Sequence, residues 1–267
     1  MIKNIQYKGK NIRFSETGKG NALVLLHGFA ESLEIWNNFN THLSGKFRVI
    51  CIDLPGHGKS ECLEEGHSME EMSEIVYYTL QHCEVKEWVI IGHSMGGYVA
   101  LAFAEKHHHV LKGIGLFHST PFADSDEKKK DRTRTIEIVK KNRLTYVTEL
   151  ITKLFAPQNL ALFKEELEAV KQIGRKTSTE GIIAALAGMR DRIDRTNVLR
   201  QISCPVLFIL GKNDVVIPID KIISLLSLPK LSQTLILENT NHMGFIEAQK
   251  ETLFSVEKFT EFCYSQI

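Results

Sequence analysis

The sequence predicts an α/β protein built on a mostly parallel sheet. Two observations carry this prediction: short apolar runs recur along the chain, and segments with helical periodicity lie between them. Continuous apolar runs of this length are typical of strands covered on both faces, as in a parallel sheet. Alternation of such strands with helices favours one sheet flanked by helices. A third observation, a long helical stretch in the middle of the chain, predicts an insertion into this pattern.

The predicted strands are β-branched or leucine-rich, and most end in Gly, His, Asp or Ser. They are Ala22–Gly28, Phe47–Leu54, Trp88–His93, Leu111–Ser119, Pro205–Gly211 and Gln233–Asn239. Helical periodicity covers roughly residues 68–83, 95–108, 218–228 and 244–265. The opening stretch "NIQYKGKNIRF" has polar alternation around a glycine, which predicts an antiparallel hairpin at the sheet edge.

The insertion is predicted from a missing strand signal. Residues 121 to 199 contain no strand-like run, and their apolar residues recur at the spacing of amphipathic helices. A stretch of this length is too long for a simple loop. We therefore predict a core domain formed by residues 1–120 and 199–267, and a helical cap formed by residues 121–198. The basic run "KKKDRTR" has acidic neighbours and is interpreted as a solvated helix face.

Composition excludes several classes of partner. The chain has 267 residues, with 33 basic and 32 acidic side chains and a formal charge of +1, so nothing favours binding to nucleic acid or to an anionic membrane. No segment approaches the ~20 apolar residues of a membrane span, and the N-terminus lacks the apolar run of a signal peptide. Five cysteines without CxxC spacing are typical of a reducing compartment. We expect a cytoplasmic monomer or homodimer that acts on a small molecule.

The stretch "VIIGHSMGGY" predicts a nucleophile. Gly92-x-Ser94-x-Gly96 follows a predicted strand and opens a predicted helix, which is the context that a nucleophile elbow requires. The turn is tight, so Ser94 is expected to take a strained backbone conformation, and the glycines let strand and helix approach closely. The alternative is a glycine-rich turn that carries an incidental serine.

A serine nucleophile needs a base, and the base needs an orienting acid. In this type of sheet the acid and the histidine follow the serine along the chain. Asp214 ends a late strand in "GKND", and His242 follows the last predicted strand in "TNHMG". Each has an ordinary alternative, because Asp214 could cap the next helix and His242 could be a plain loop residue.

Other polar residues at strand ends have weaker interpretations. Asp53 precedes the serine and is predicted to brace the glycine-rich turn after it. His93 is predicted to be structural, because neighbouring side chains at a tight turn point apart. His118 ends a strand at the entrance to the insertion, so it could line a substrate pocket or be a satisfied buried histidine.

An oxyanion needs backbone donors. The N–H of Met95 lies at a helix N-terminus, where free amides favour negative charge. The loop "HGFAESLEIW" after the third strand offers a second donor, the N–H of Phe29, beside Gly28. A simple strand-ending turn is the alternative for this loop.

Together these segments resemble the α/β-hydrolase superfamily, specifically its capped soluble branch. The resemblance implies about eight mostly parallel strands, a cap after the sixth strand, and the roles of nucleophile, acid and base for Ser94, Asp214 and His242. It also implies that the amides of Phe29 and Met95 form the oxyanion hole. The segments that carry it are "HGF" (27–29), "DLPGHGKS" (53–60), "GHSMGG" (92–97), "GKNDVVIP" (211–218) and "NHMGFIE" (241–247).

The resemblance also narrows the chemistry. Epoxide hydrolases and haloalkane dehalogenases of this fold use an aspartate nucleophile, whereas position 94 is serine, and the loop lacks an HGGG motif. A carboxylesterase needing no metal or organic cofactor is the preferred prediction. Hydrolysis of a lactone, a thioester or a C–C bond remains open, as do a slow-turnover ligand receptor and a non-catalytic scaffold.

Overall fold

The described residues, 1–64 and 66–266 of this computed structural model, form one eight-stranded sheet. Its order is β1-β2-β4-β3-β5-β6-β7-β8. The first two pairs, β1 with β2 and β2 with β4, are antiparallel, and every later pair is parallel. The predicted edge hairpin and mostly parallel sheet are confirmed. The strands are β1 (Ile2–Tyr7), β2 (Lys10–Thr17), β3 (Ala22–Leu26), β4 (Arg48–Ile52), β5 (Trp88–His93), β6 (Leu111–Phe117), β7 (Val206–Gly211) and β8 (Ser232–Leu237).

The helices pack around this sheet and fill the connections between strands. Those of the described residues are α1 (Asn37–Leu43), α2 (Met69–His82), α3 (Met95–His107), α4 (Asp126–Lys153), α5 (Lys164–Lys176), α6 (Thr179–Asp191), α7 (Thr196–Gln201), α8 (Ile219–Ile222), α9 (Gly244–Glu247) and α10 (Gln249–Ser265). None of them combines the length and the apolarity needed to cross a bilayer.

The central strands explain why the apolar runs are continuous. Every residue of β3, β5 and β7 is buried, because helices or neighbouring chain cover both faces of the sheet there. The edge strand β8 is instead largely half-exposed. All five cysteines, which lie among the described residues, are free thiols, and four of them are buried.

The insertion lies between β6 and β7 and consists of α4 to α7. The expected position after the sixth strand is therefore confirmed, and the described residues 118–205 contain no strand. Ser125 caps α4 by accepting a hydrogen bond from the Lys128 N–H, and a non-helical residue, Asn142, interrupts this long helix. The predicted boundary at residue 198 falls inside α7, and the division into two domains stays a prediction.

Two predicted helices are shorter than the sequence pattern suggests. Over residues 218–228 only α8 is α-helical, followed by a short 3₁₀ turn. The helix predicted over 244–265 breaks at Ala248, whose φ and ψ are −140° and 51°. The break has a tertiary cause, because the Glu247 carboxylate accepts hydrogen bonds from Ala156 N–H and Asn241 N–H and holds α9 against them.

Asp53 braces the turns at the end of β4, as predicted. Its carboxylate accepts the N–H of Leu33 at 2.8 Å and the N–H of Lys59 at 2.9 Å. It also pairs at 2.9 Å with the guanidinium of Arg13, and both side chains are buried. A left-handed Gly58 (φ 57°) passes so close that a Cβ there would lie 2.2 Å from the carboxylate. One buried charge thus connects β2, β4 and the loop after β3.

We predict that Asp53→Ala lowers the free energy of unfolding by about 3–5 kcal/mol, because the buried Arg13 guanidinium keeps only Glu34 as an ionic partner and the N–H groups of Leu33 and Lys59 lose their acceptor. Urea denaturation followed by circular dichroism measures this difference. Asp191→Ala is the control, since it removes the partner of Arg190 in a surface pair. Equal effects of the two substitutions would contradict the importance of the buried pair.

Candidate active site

Ser94 lies in a strained turn between β5 and α3. Its φ and ψ are 50° and −113°, a conformation that L-residues rarely adopt, and no side-chain cap bond accounts for it. The flanking glycines are sterically required. A Cβ on Gly92 would lie 2.3 Å from the Gly96 carbonyl carbon, and a Cβ on Gly96 would lie 2.5 Å from the Leu26 oxygen. The predicted strained elbow is present.

The two predicted backbone donors are unused. Within the described residues, no hydrogen bond engages the N–H of Phe29 or of Met95. Met95 is the first residue of α3, where an N–H has no partner inside the helix. Both amides are therefore free to donate, although their role in an oxyanion hole stays a prediction.

Contacts of the loop after β3 hold Phe29 in place. His27 Nε2 accepts the Leu54 N–H at 2.9 Å, and the buried Glu31 carboxylate accepts the Gly28 N–H at 2.5 Å. A Cβ on Gly28 would lie 2.8 Å from that carboxylate, so glycine is needed for this contact. Ala30 completes the turn with a positive φ of 57°.

Asp214 and His242 meet as the sequence predicts. His242 Nδ1 donates to Asp214 Oδ2 at 2.8 Å, and both side chains are buried. The other carboxylate oxygen accepts the N–H groups of Val216 and Ile217. Burial alone would raise the pKa of Asp214, but the two neighbouring histidines hold it well below its usual range. The carboxylate is charged, so the proton of the His242 ring lies on Nδ1 and leaves Nε2 free to act as a base.

Ser94 and His242 line one cavity of about 300 Å³. No hydrogen bond within the described residues joins the Ser94 hydroxyl to the His242 ring. Such contacts often close only when substrate binds. The cavity wall is formed by Phe29, Glu31, His93, Ser94, Tyr98, Lys128, Arg132, Tyr146, Leu150, Leu154, Met189, Val215, Val216 and His242.

His118 is placed differently from the pocket-lining interpretation. Its side chain is fully buried and is not part of the cavity wall. Its Nδ1 donates to Asp214 Oδ2 at 2.9 Å, the same oxygen that His242 uses. Burial lowers the pKa of His118 to about 4, so the ring is neutral near pH 7. His118 directly follows β6 with a positive φ of 48°, and sequence reasoning cannot resolve this turn that places its ring beside Asp214.

Glu31 is a residue that the sequence analysis missed. Its carboxylate lies 3.0 Å from His93 Nδ1, while His93 Nε2 lies 2.9 Å from the carbonyl oxygen of His242. Both partners of the His93 ring are acceptors, so both nitrogens must carry protons. Burial opposes this charge, but Glu31 outweighs burial and raises the pKa of His93. In turn His93 overcomes burial and lowers the pKa of Glu31. The two form a buried ion pair, consistent with a structural role for His93.

The insertion is hydrogen-bonded to the loop that carries His242. Asn241 Nδ2 donates to the carbonyl oxygens of Lys153 and Phe155, and its Oδ1 accepts the Val215 N–H. The N–H of His242 donates to the Leu154 oxygen at 2.9 Å. The C-terminal end of α4 therefore positions both the loop that carries Asp214 and the loop that carries His242.

One group of side chains has donor atoms suited to a metal ion. The ligand atoms of His118, Asp214 and His242 lie within 4.8 Å of one another. In this arrangement both Nδ1 atoms hydrogen-bond the same carboxylate oxygen, so these atoms already satisfy one another.

Comparison with known proteins identifies the family of this chain. The profile of the α/β-hydrolase fold matches residues 21–249. The chain is similar, at 28% identity, to a thermophilic esterase from Thermogutta terrifontis whose structure was solved with malate bound. The TM-score is 0.93, and the match covers 99% of this chain and 100% of that one.

Two relatives by sequence differ in the length that they share. A pimeloyl-(acyl-carrier protein) methyl ester esterase of Nitrosomonas europaea is 31% identical over 219 residues, which cover 78% of this chain and 83% of that protein. The dihydrolipoyllysine-residue acetyltransferase component of the acetoin cleaving system of Pseudomonas putida is 30% identical over 250 residues. The chain spans only 65% of that second protein's length.

We predict that the ion pair between Glu31 and His93 makes stability depend on pH. The raised pKa of His93 stabilises the fold below about pH 6.5, the unfolded value, and this stabilisation is lost as pH rises through the higher folded pKa. The lowered pKa of Glu31 stabilises the fold above about pH 4.5, and this is lost as pH falls through the lower folded pKa. Both contributions are complete between these two values.

The test compares wild type with Glu31→Gln in urea denaturation from pH 4 to pH 9. The difference in free energy of unfolding should be greatest, about 3 kcal/mol, near pH 5–6.5 and should shrink as pH rises further. Glu168→Gln, which alters an exposed pair with the permanently charged Arg175, serves as the control and should show little pH dependence above pH 5. A Glu31→Gln difference that stays constant across this range would mean that His93 is not charged.

Proposed function

The chain belongs to the α/β-hydrolase family, and from this premise we propose that it is a serine hydrolase that cleaves an ester-like bond of a small molecule. The observation that carries the proposal is the 2.8 Å hydrogen bond from His242 to Asp214 beside the cavity that Ser94 also lines. The free Nε2 of His242 thus faces the same space as the serine hydroxyl.

In the first step, Ser94 Oγ attacks the carbonyl carbon of the substrate. Its proton passes to His242 Nε2, and the π electrons of the carbonyl move onto the oxygen. The N–H groups of Phe29 and Met95 donate to this oxyanion. They need no rearrangement, because the loop and the helix already hold them, and one such donor typically contributes ~10²–10³ in rate.

In the second step, the tetrahedral intermediate collapses. The bond to the leaving oxygen breaks, the alcohol takes the proton from His242, and an acyl group remains on Ser94. Water then repeats both steps: it gives a proton to His242, attacks the acyl carbon and releases the acid with a regenerated serine. Asp214 holds the ring in the required tautomer throughout and stabilises its positive charge.

The insertion is proposed to act as a cap over this site. Tyr146 and Leu150 of α4 and Met189 of α6 line the cavity that also contains Ser94. Their apolar surface would exclude water from the oxyanion and accommodate the acyl chain.

The bond type is assigned to esters because two similar proteins are esterases by name: the Thermogutta enzyme and the Nitrosomonas methyl ester esterase. Lactones and thioesters would follow the same steps with a different leaving atom. A C–C bond would require a carbon leaving group that the substrate itself stabilises.

We predict that Ser94→Ala reduces hydrolysis of p-nitrophenyl esters, from acetate to dodecanoate, by about 10⁶-fold, to near background. Ser119→Ala is the matched control. It removes a neighbouring hydroxyl that donates to the Ser94 carbonyl oxygen at 2.8 Å, and it should reduce the rate by no more than about tenfold.

The outcomes separate the alternatives. Hydrolysis by Ser94→Ala at the wild-type rate would exclude the proposed nucleophile. A wild type that reacts with a fluorophosphonate at Ser94 but hydrolyses no ester would favour lactone, thioester or C–C substrates. A single turnover followed by stalling would favour a ligand receptor.

We also predict that His118→Phe moves the acid limb of the kcat/KM–pH profile to higher pH. Neutral His118 donates to Asp214 and spreads its negative charge. Without this donor the negative charge of Asp214 is concentrated beside His242, so kcat/KM on the acid limb should fall by up to about tenfold. A variant that loses stability but keeps the wild-type pH profile would show that His118 is purely structural.

A further inference from the structure

Two cations of α4, Lys128 and Arg132, lie one helical turn apart and line the cavity that contains Ser94. We propose that the substrate carries a carboxylate in addition to its ester-like bond, and that Lys128 and Arg132 bind this carboxylate. The inference rests on the proposed function and specifies the substrate class of the same site.

Lys128 lies where several cavities meet. It lines the cavity at Ser94, an adjoining cavity of about 260 Å³ that also contains Arg192 and Lys221, and an outer cavity of about 400 Å³. Its side chain is half-buried. Lys128 therefore contributes to the wall of the cavity at Ser94 and to the walls of two further cavities.

The charges around Lys128 are unbalanced. The buried carboxylate of Asp124 pairs with Arg132 and, at 2.7 Å, with Arg192. Among the described residues, none forms a hydrogen bond or an ion pair with the Lys128 ammonium. Two acids of the outer cavity, Glu127 and Asp131, likewise do not pair with it. Two guanidinium groups thus share one carboxylate, and the Lys128 ammonium has no ionic partner among the described residues.

Glu31 also lies on the wall of the cavity with Ser94, but it pairs with His93. It therefore does not neutralise the positive charge of Lys128 and Arg132. Burial, together with the charge of Arg132, lowers the pKa of Lys128, which indicates a site short of negative charge. A carboxylate from the substrate would supply it.

The donor geometry suits a carboxylate. Arg132 uses its Nε toward Asp124, which leaves its terminal nitrogens for a second acceptor. A lysine ammonium beside part of a guanidinium matches two carboxylate oxygens. The cavity of about 300 Å³ also limits the substrate to a short chain between the two ends.

The test compares two esters of equal size, monomethyl adipate and methyl 5-carbamoylpentanoate, in which a neutral amide replaces the carboxylate. Wild type should prefer the acid by about tenfold or more in kcat/KM, as charge-assisted hydrogen bonds are roughly twice as strong as neutral ones. Lys128→Met should reduce this preference about tenfold. Lys130→Met, an exposed change of the same charge on the same helix, should leave the preference unchanged.

Binding is measured in parallel, so that the result does not depend on turnover. Adipate should raise the melting temperature of wild type but not of Lys128→Met, whereas adipamide should raise neither. If no ester is hydrolysed and adipate still stabilises only wild type, the proposed function fails while the carboxylate site stands.

Other outcomes overturn the inference. Hydrolysis of both esters at equal rates, with no effect of Lys128→Met on their ratio, would show that the cations serve only the fold. Stronger stabilisation by inorganic phosphate than by adipate would show that the site prefers another anion.

Discussion

The buried ion pair between Glu31 and His93 holds the edge of the sheet together where the candidate site lies. Glu31 also accepts the N–H of Gly28, and His93 also donates to the carbonyl oxygen of His242. The pair therefore connects the loop after β3, the end of β5 and the loop after β8. Separating a buried ion pair leaves two uncompensated charges away from water, so independent movement of these loops would be energetically costly.

The second buried acid, Asp214, has a different arrangement. It accepts hydrogen bonds from two histidines and two backbone N–H groups. These contacts keep it charged despite burial, and a charged carboxylate selects the ring tautomer of His242. The neighbours of these two buried carboxylates thus give them separate roles: Glu31 holds loops together, and Asp214 orients the proposed base.

The core and the insertion contribute different parts of the candidate site. The sheet, the elbow at Ser94 and the loop that carries Asp214 form the part of the site to which we assign the proposed attack on a carbonyl group. The insertion supplies six of the fourteen residues that line the cavity with Ser94, including apolar side chains and the cations Lys128 and Arg132. Asn241 joins the core and the insertion, because it forms hydrogen bonds with both the end of α4 and the loop that carries Asp214. Any movement of the insertion would therefore also displace His242.

The sequence by itself determined the parallel sheet, the position of the insertion and the elbow at Ser94. These depend on local patterns: continuous apolar runs, helical spacing, and glycines where no Cβ fits. The pairing of Asp214 with His242 was also predictable, because chain order and strand ends bring them to one edge. Tertiary structure alone decided the break at Ala248, the place of His118 behind Asp214, and the partner of His93. Each of these depends on contacts between residues distant in the chain, and a buried charge takes its partner from space rather than from sequence.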